Sequence, residues 1–84
     1  MDLTPLPILM YQQMVKDNLL WIDEMYRENA VSKKIIEQFP NDNILRQYCE
    51  YFIRDNNNVI QFECLKDIEY ARRQIDELKR IFGR

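Results

Sequence analysis

From residue 60 to the end of the chain, apolar positions recur with helical spacing. Ile60, Cys64, Ile68, Ala71, Ile75, Leu78 and Phe82 fall three or four residues apart, which places them on one stripe of a helix. Gly83, the only glycine, suits the position just past a helix end. Lys79, Arg80 and Arg84 stand where the helix dipole favours cations. Glu69–Arg73 and Asp76–Arg80 are spaced and oriented as i,i+4 pairs, each contributing about 0.3 kcal/mol.

The first third carries a second stripe: Ile8, Tyr11, Val15, Leu19, Ile22 and Met25, widened by Leu20, Trp21 and Tyr26. Thr4 as N-cap and Pro5 at the first helical position predict its start, and Pro7 is tolerated in the first turn. Glu28-Asn29 is a candidate break. Beyond it Val31, Ile35 and Phe39 share one side. Pro40 ends this segment and pushes Phe39 out of the helical region. Pro40 to Asn43 is the clearest loop, with Asp42 or Asn43 capping a helix that carries Leu45, Tyr48 or Cys49, and Phe52. Asp55 to Asn58 reads as a second turn, and Asn58 with Gln61 has the form of a capping box.

The pattern predicts an all-α antiparallel bundle of three to four helices in a single domain, 1–84. The alternative is an α+β fold with a β-hairpin near residues 50–63. There Tyr51-Phe52-Ile53 and Val59 to Phe62 are rich in strand formers and flank an Asn-rich turn. The helical reading is preferred because the stripe from Ile60 stays in phase through Phe82, and because a lone hairpin is marginal.

Two short segments echo one another. Asn18-Leu19-Leu20 returns as Asn43-Ile44-Leu45, and Arg27-Glu28-Asn29 before Val31 returns as Arg54-Asp55-Asn56 before Val59. With a helix ending in Phe39-Pro40 and followed by Leu45, Tyr48 and Phe52, residues 18–65 resemble a junction in tetratricopeptide or HAT-type helical repeats. The small residues of those repeats are mostly missing; only Ala30 and Ala71 are available. The resemblance implies a helical-hairpin scaffold that binds peptides or other helices.

Composition narrows the function. One glycine in 84 residues disfavours sheets and tight turns, while 46% hydrophobic and 31% charged residues suit a folded chain. A chain this short buries about 60% of its unfolded surface, so its core is thin. Frequent Ile and Asn with scarce Ala suggest an AT-rich genome, as in a phage, another virus or a low-GC bacterium. The apolar runs are too short for a signal sequence or a membrane span. A cytoplasmic protein (host cytoplasm, if viral) is expected, with no membrane partner. A net charge of −2 gives no broad basic surface for nucleic acid.

Chemistry is sparse. Without histidine, Ser-His and Cys-His catalysis and most zinc sites are excluded. One glycine cannot build a phosphate loop. Asp55 to Asn58 lacks the glycine and terminal Glu of a calcium loop. No catalytic group, cofactor or metal is therefore expected. Cys49 and Cys64 lie equally far from the midpoint of Asn56-Asn57, so a hairpin folded there would bring them together as a possible disulfide pair. Trp21, Tyr11, Tyr26, Phe39 and Phe52 read as core.

The function this favours is a non-enzymatic protein-binding module: an adaptor, an assembly factor or a small inhibitor, prone to self-association. Ile36, Leu65, Tyr70 and Ile81, apolar residues outside the main stripes, are the candidate contacts. A nucleic-acid-associated regulator is the alternative, using Lys33, Lys34, Arg72, Arg73, Lys79 and Arg80.

Overall fold

The computed structural model describes residues 4–83, and all regular structure among them is helical. Helix α1 runs Leu6–Gln38, α2 runs Asn43–Val59, and α3 runs Leu65–Phe82. Between α2 and α3, Ile60–Cys64 forms a π-helical turn with helical backbone on both sides. The chain therefore forms two rods that meet in an antiparallel hairpin. At 1.5 Å per residue the rods measure about 50 and 60 Å, and the molecule spans 63 × 24 × 12 Å. It is a slab one helix thick.

Three boundaries differ from those expected. Helix α1 begins at Leu6 with Pro5 in the N-cap position and Pro7 inside the first turn; Thr4 is not the cap. It passes Glu28-Asn29 without a break. Asp55 to Asn58, read as a turn, lies inside α2. The strand signal at residues 50–63 is overridden as well, because those residues are helical. Other expectations hold. Asp42 caps α2 by accepting from the Leu45 N–H at 3.0 Å, and Arg46 ties the loop by donating to the Pro40 carbonyl at 2.8 Å. Phe39 leaves the helical region at φ −124°, ψ 62°. Gly83 closes α3 without a left-handed turn, at φ −88°. A Cβ there would run into the Lys79 carbonyl oxygen, so the close approach calls for glycine.

The seam between the rods follows a heptad. On α1 it comprises Ile8, Tyr11, Val15, Asn18, Ile22, Met25, Asn29, Ser32 and Ile36, all buried or half-buried. The partner rod supplies Leu45, Cys49, Phe52 and Asn56, then Ile60, Cys64 and Ile68, then Ala71, Ile75 and Leu78. Three consecutive steps of four, from Asn56 to Ile68, would swing an α-helical stripe off the seam. The π-turn absorbs the surplus residue. Its signature bond is the Leu65 N–H to the Ile60 carbonyl, and Ile60, Cys64 and Ile68 all stay buried. Met25, Ile60 and Cys64 form the centre of the core, backed by Ile22 and Val59.

The seam also holds polar residues. Asn29 accepts from Asn56 Nδ2 at 3.0 Å and donates to Asn57 Oδ1 at 3.1 Å. Asn18 returns its amide to the Met14 carbonyl at 2.9 Å. An asparagine pair across a heptad seam is satisfied in one register only, so it fixes how the rods align.

Candidate functional site

A slab one helix thick has two open faces, and the heptad phase determines what each carries. Residues just before the seam positions on the wheel form one flank; those just after form the other. On the first flank Met10, Met14, Trp21, Val31 and Ile35 project from α1, and Ile44, Tyr48, Tyr70 and Ile81 from the second rod. Met10, Met14, Trp21, Asp17 and Asp67 line one shallow groove between the rods. Most of these apolar groups are solvent-exposed; Ile44 is 84% and Trp21 45% exposed. At the loop end, the Tyr48 and Phe52 rings stack at 6.4 Å.

The cations are segregated between the flanks, whereas acids occur on both. The first flank bears Asp17, Glu24 and Glu28 on α1, and Asp55, Asp67 and Glu77 on the second rod; Glu63 of the π-turn joins them. No lysine or arginine of the described residues falls in that sector. Lys16, Lys33, Arg46, Arg72 and Lys79 lie on the opposite flank among the acids Asp23, Glu37, Glu50, Glu69 and Asp76, and Lys16, Arg72 and Lys79 border a groove there with Gln12, Val15 and Ile75. Arg27, Lys34, Arg54, Lys66, Arg73 and Arg80 sit on the outer backs of the rods. Arg27 pairs with Asp23, Arg73 with Glu69, and Arg80 with Glu77 rather than with Asp76. Of the first-flank acids only Glu77 has an ion-pair partner among the described residues.

The anticipated contact residues do not form one patch. Ile36 faces the seam, half-buried. Leu65, 50% exposed, projects on the opposite, mixed-charge flank. Tyr70 and Ile81, 52% and 59% exposed, share the acidic flank. Tyr70 meets Tyr11 edge-to-face at 6.0 Å. Its hydroxyl raises the Tyr11 phenol pKa, first as a hydrogen-bond partner and then as a neighbouring charge. Trp21 and Tyr26, expected in the core, are exposed, as is Phe39. Arg84 lies outside the described residues.

The cysteine pairing fails for a simple reason. Without a turn at Asn56-Asn57, Cys49 and Cys64 lie on one continuous rod, about 20 Å apart along its axis, far beyond disulfide reach. Both are free and buried. Burial, then Glu63 and Asp67, push the Cys64 thiol pKa up. The cations proposed for nucleic acid are dispersed: Lys33 and Lys34 near the loop, the others toward the far end of α3, with Arg73 and Arg80 already paired. Among the described residues no group of His, Cys, Asp or Glu is placed to hold a metal, and no helix is long and apolar enough to cross a membrane.

Apolar residues outside each stripe, taken singly, do not reveal the flank; its register does. The signal was present: Met14, Trp21 and Ile35 are seven or fourteen residues apart, and Asp17 and Glu24 are seven apart. Comparison with protein families, with curated proteins and with solved structures finds no match to this chain.

Proposed function

We propose that the protein is a non-enzymatic interaction module that docks a partner on its acidic, apolar flank, as an adaptor, an assembly factor or a small inhibitor would. The observation that carries this reading is the unclosed slab. The accessible surface is 6840 Å² for a 10.4 kDa chain, against about 5,400 Å² for a monomer of that mass. The radius of gyration is 18.5 Å, against about 12 Å for a domain of this length. The surplus of roughly 1,400 Å² exceeds the ~800 Å² that one partner contributes to a standard interface. A helix laid in the groove would complete a bundle of three or, from a hairpin partner, four helices. Peptide or helix binding is also what the helical-repeat resemblance implies.

The nucleic-acid alternative has less support, because the cations it needs are dispersed and partly paired.

Photo-crosslinking tests the docking reading. A benzophenone residue replaces Tyr48 on the flank or Arg54 on the outer back, and the protein is irradiated in its native host. Adducts from position 48 with few from position 54 are expected. Equal yields from both positions, or none from position 48, would overturn the reading.

A further inference from the structure

We infer that the occupant of this flank is a cationic amphipathic helix: one apolar stripe bordered by lysines or arginines. The inference rests on the docking reading above and names the partner's chemistry. Apolar Met14, Trp21, Ile35 and Tyr48 make much of the flank's floor beside the seam, with Glu28, Asp55 and Asp67 set among them. Acids stand along its rims, Asp17 and Glu24 on α1, Glu63 and Glu77 on the second rod. A helix resting on that floor points its apolar stripe down and its two borders at the acids. Basic side chains reach such rims while their methylene stems cover apolar surface, and opposite charge accelerates encounter and fixes orientation.

The same distribution argues against a second copy on this flank. Two acidic flanks face to face would place uncompensated carboxylates against one another in a partly desolvated interface. The self-association expected from composition therefore does not use this surface. Length also fits. From Met10 to Ile35 the flank runs about 38 Å, with the groove at its Met10–Trp21 end, room for a helix of 18 to 25 residues.

The test uses the intact protein and two synthetic 18-residue helices that lack tryptophan. Both carry the same leucine stripe, one with lysine borders and one with glutamate borders. Trp21, the only tryptophan, reports binding from the groove floor. The lysine helix is expected to shift Trp21 emission to shorter wavelength and saturate, with affinity falling as salt rises; the glutamate helix is expected to give no shift. The triple variant Asp17→Asn/Glu24→Gln/Glu77→Gln should weaken binding about tenfold. An equal neutralisation on the other flank, Glu37→Gln/Glu50→Gln/Asp76→Asn, should leave it unchanged. Equal binding of both helices, equal weakening by both triple variants, or no binding of the lysine helix would overturn the inference. So would light scattering that shows a dimer with Trp21 already shielded. Crosslinks at position 48 combined with any of those results would leave the docking reading in place and remove only this choice of occupant.

Discussion

The seam and the acidic flank run side by side along the same two helices, yet they are built on opposite rules. The seam is narrow, paired and self-satisfied: Met25, Ile60, Cys64 and Ile68 are buried, and Asn29 meets Asn56. The flank is broad and exposed, apolar and acidic together, and among the described residues only Glu77 of its acids has a cationic partner, while Asp17 accepts from Gln13 at 2.8 Å. The contrast separates two tasks that a thicker fold would merge. Substitutions in the seam should cost stability and spare binding; those on the flank should do the reverse.

The largest expected effect comes from shifting phase. Deleting Arg73 turns every later residue of α3 by about 100° and takes Ile75 and Leu78 off the seam. Deleting Gln61 removes the surplus residue of the π-turn and leaves Ile60, Cys64 and Ile68 facing α1. Thermal unfolding should show collapse of cooperativity for the first variant and a folded, cooperative protein for the second. Equal damage would contradict the assignment of the π-turn as an absorbed insertion.

Single side chains sharpen the contrast next. Ile68→Ala should cost ~3 kcal/mol through lost burial and a residual cavity, a large share of the stability of so small a domain. Ile44→Ser on the flank, where the side chain is 84% exposed, should change stability by less than about 0.5 kcal/mol. Denaturant titration measures both, and comparable losses would mean that the flank is part of the core.

The asparagine pair probes the seam more finely. Asn29→Leu strands the buried Asn56 amide and should cost about 1–3 kcal/mol. Asn29→Leu/Asn56→Leu should recover most of that loss, since no polar group is then left unpaired. If the double variant is no better than the single one, the pair contributes more than register.

The smallest effect is that of Cys64. Its folded-state pKa lies above that of the unfolded thiol, so the folded protein keeps its proton where the unfolded chain loses it. The contribution to stability is complete below the unfolded pKa of about 8.5 and is lost as pH rises through the folded value. Wild type should therefore lose more stability than Cys64→Ala as pH climbs from 8 upward.

Most of the helical content is legible in the sequence. The Asp42 cap and the Pro40 stop are local signals that appear, and so do the stripes on α1 and α3 except at Leu19, whose seam place Asn18 takes, and at Phe82, both of them exposed. What misleads is asparagine. Asp55 to Asn58 has turn chemistry, yet Asn56 is recruited across the seam by Asn29, a partner 27 residues away that local propensity cannot register. The same tertiary pairing carries strand-forming Val59 and Ile60 through a π-turn, and with the hairpin goes the disulfide. The flank was legible only in part. Tyr70 and Ile81 are on it, but Ile36 faces the seam, because α1 runs unbroken past Asn29 and carries its heptad on to Ile36, and Leu65 projects on the other flank.

Collisional quenching of Trp21 tests the central claim, an open and anionic flank, most directly. Trp21 shares its groove with Asp17 and Asp67. Caesium, drawn by those carboxylates, should quench its fluorescence with a larger Stern–Volmer constant than iodide, and the gap should close in high salt. Stronger quenching by iodide, or protection of Trp21 from both ions, would contradict the account.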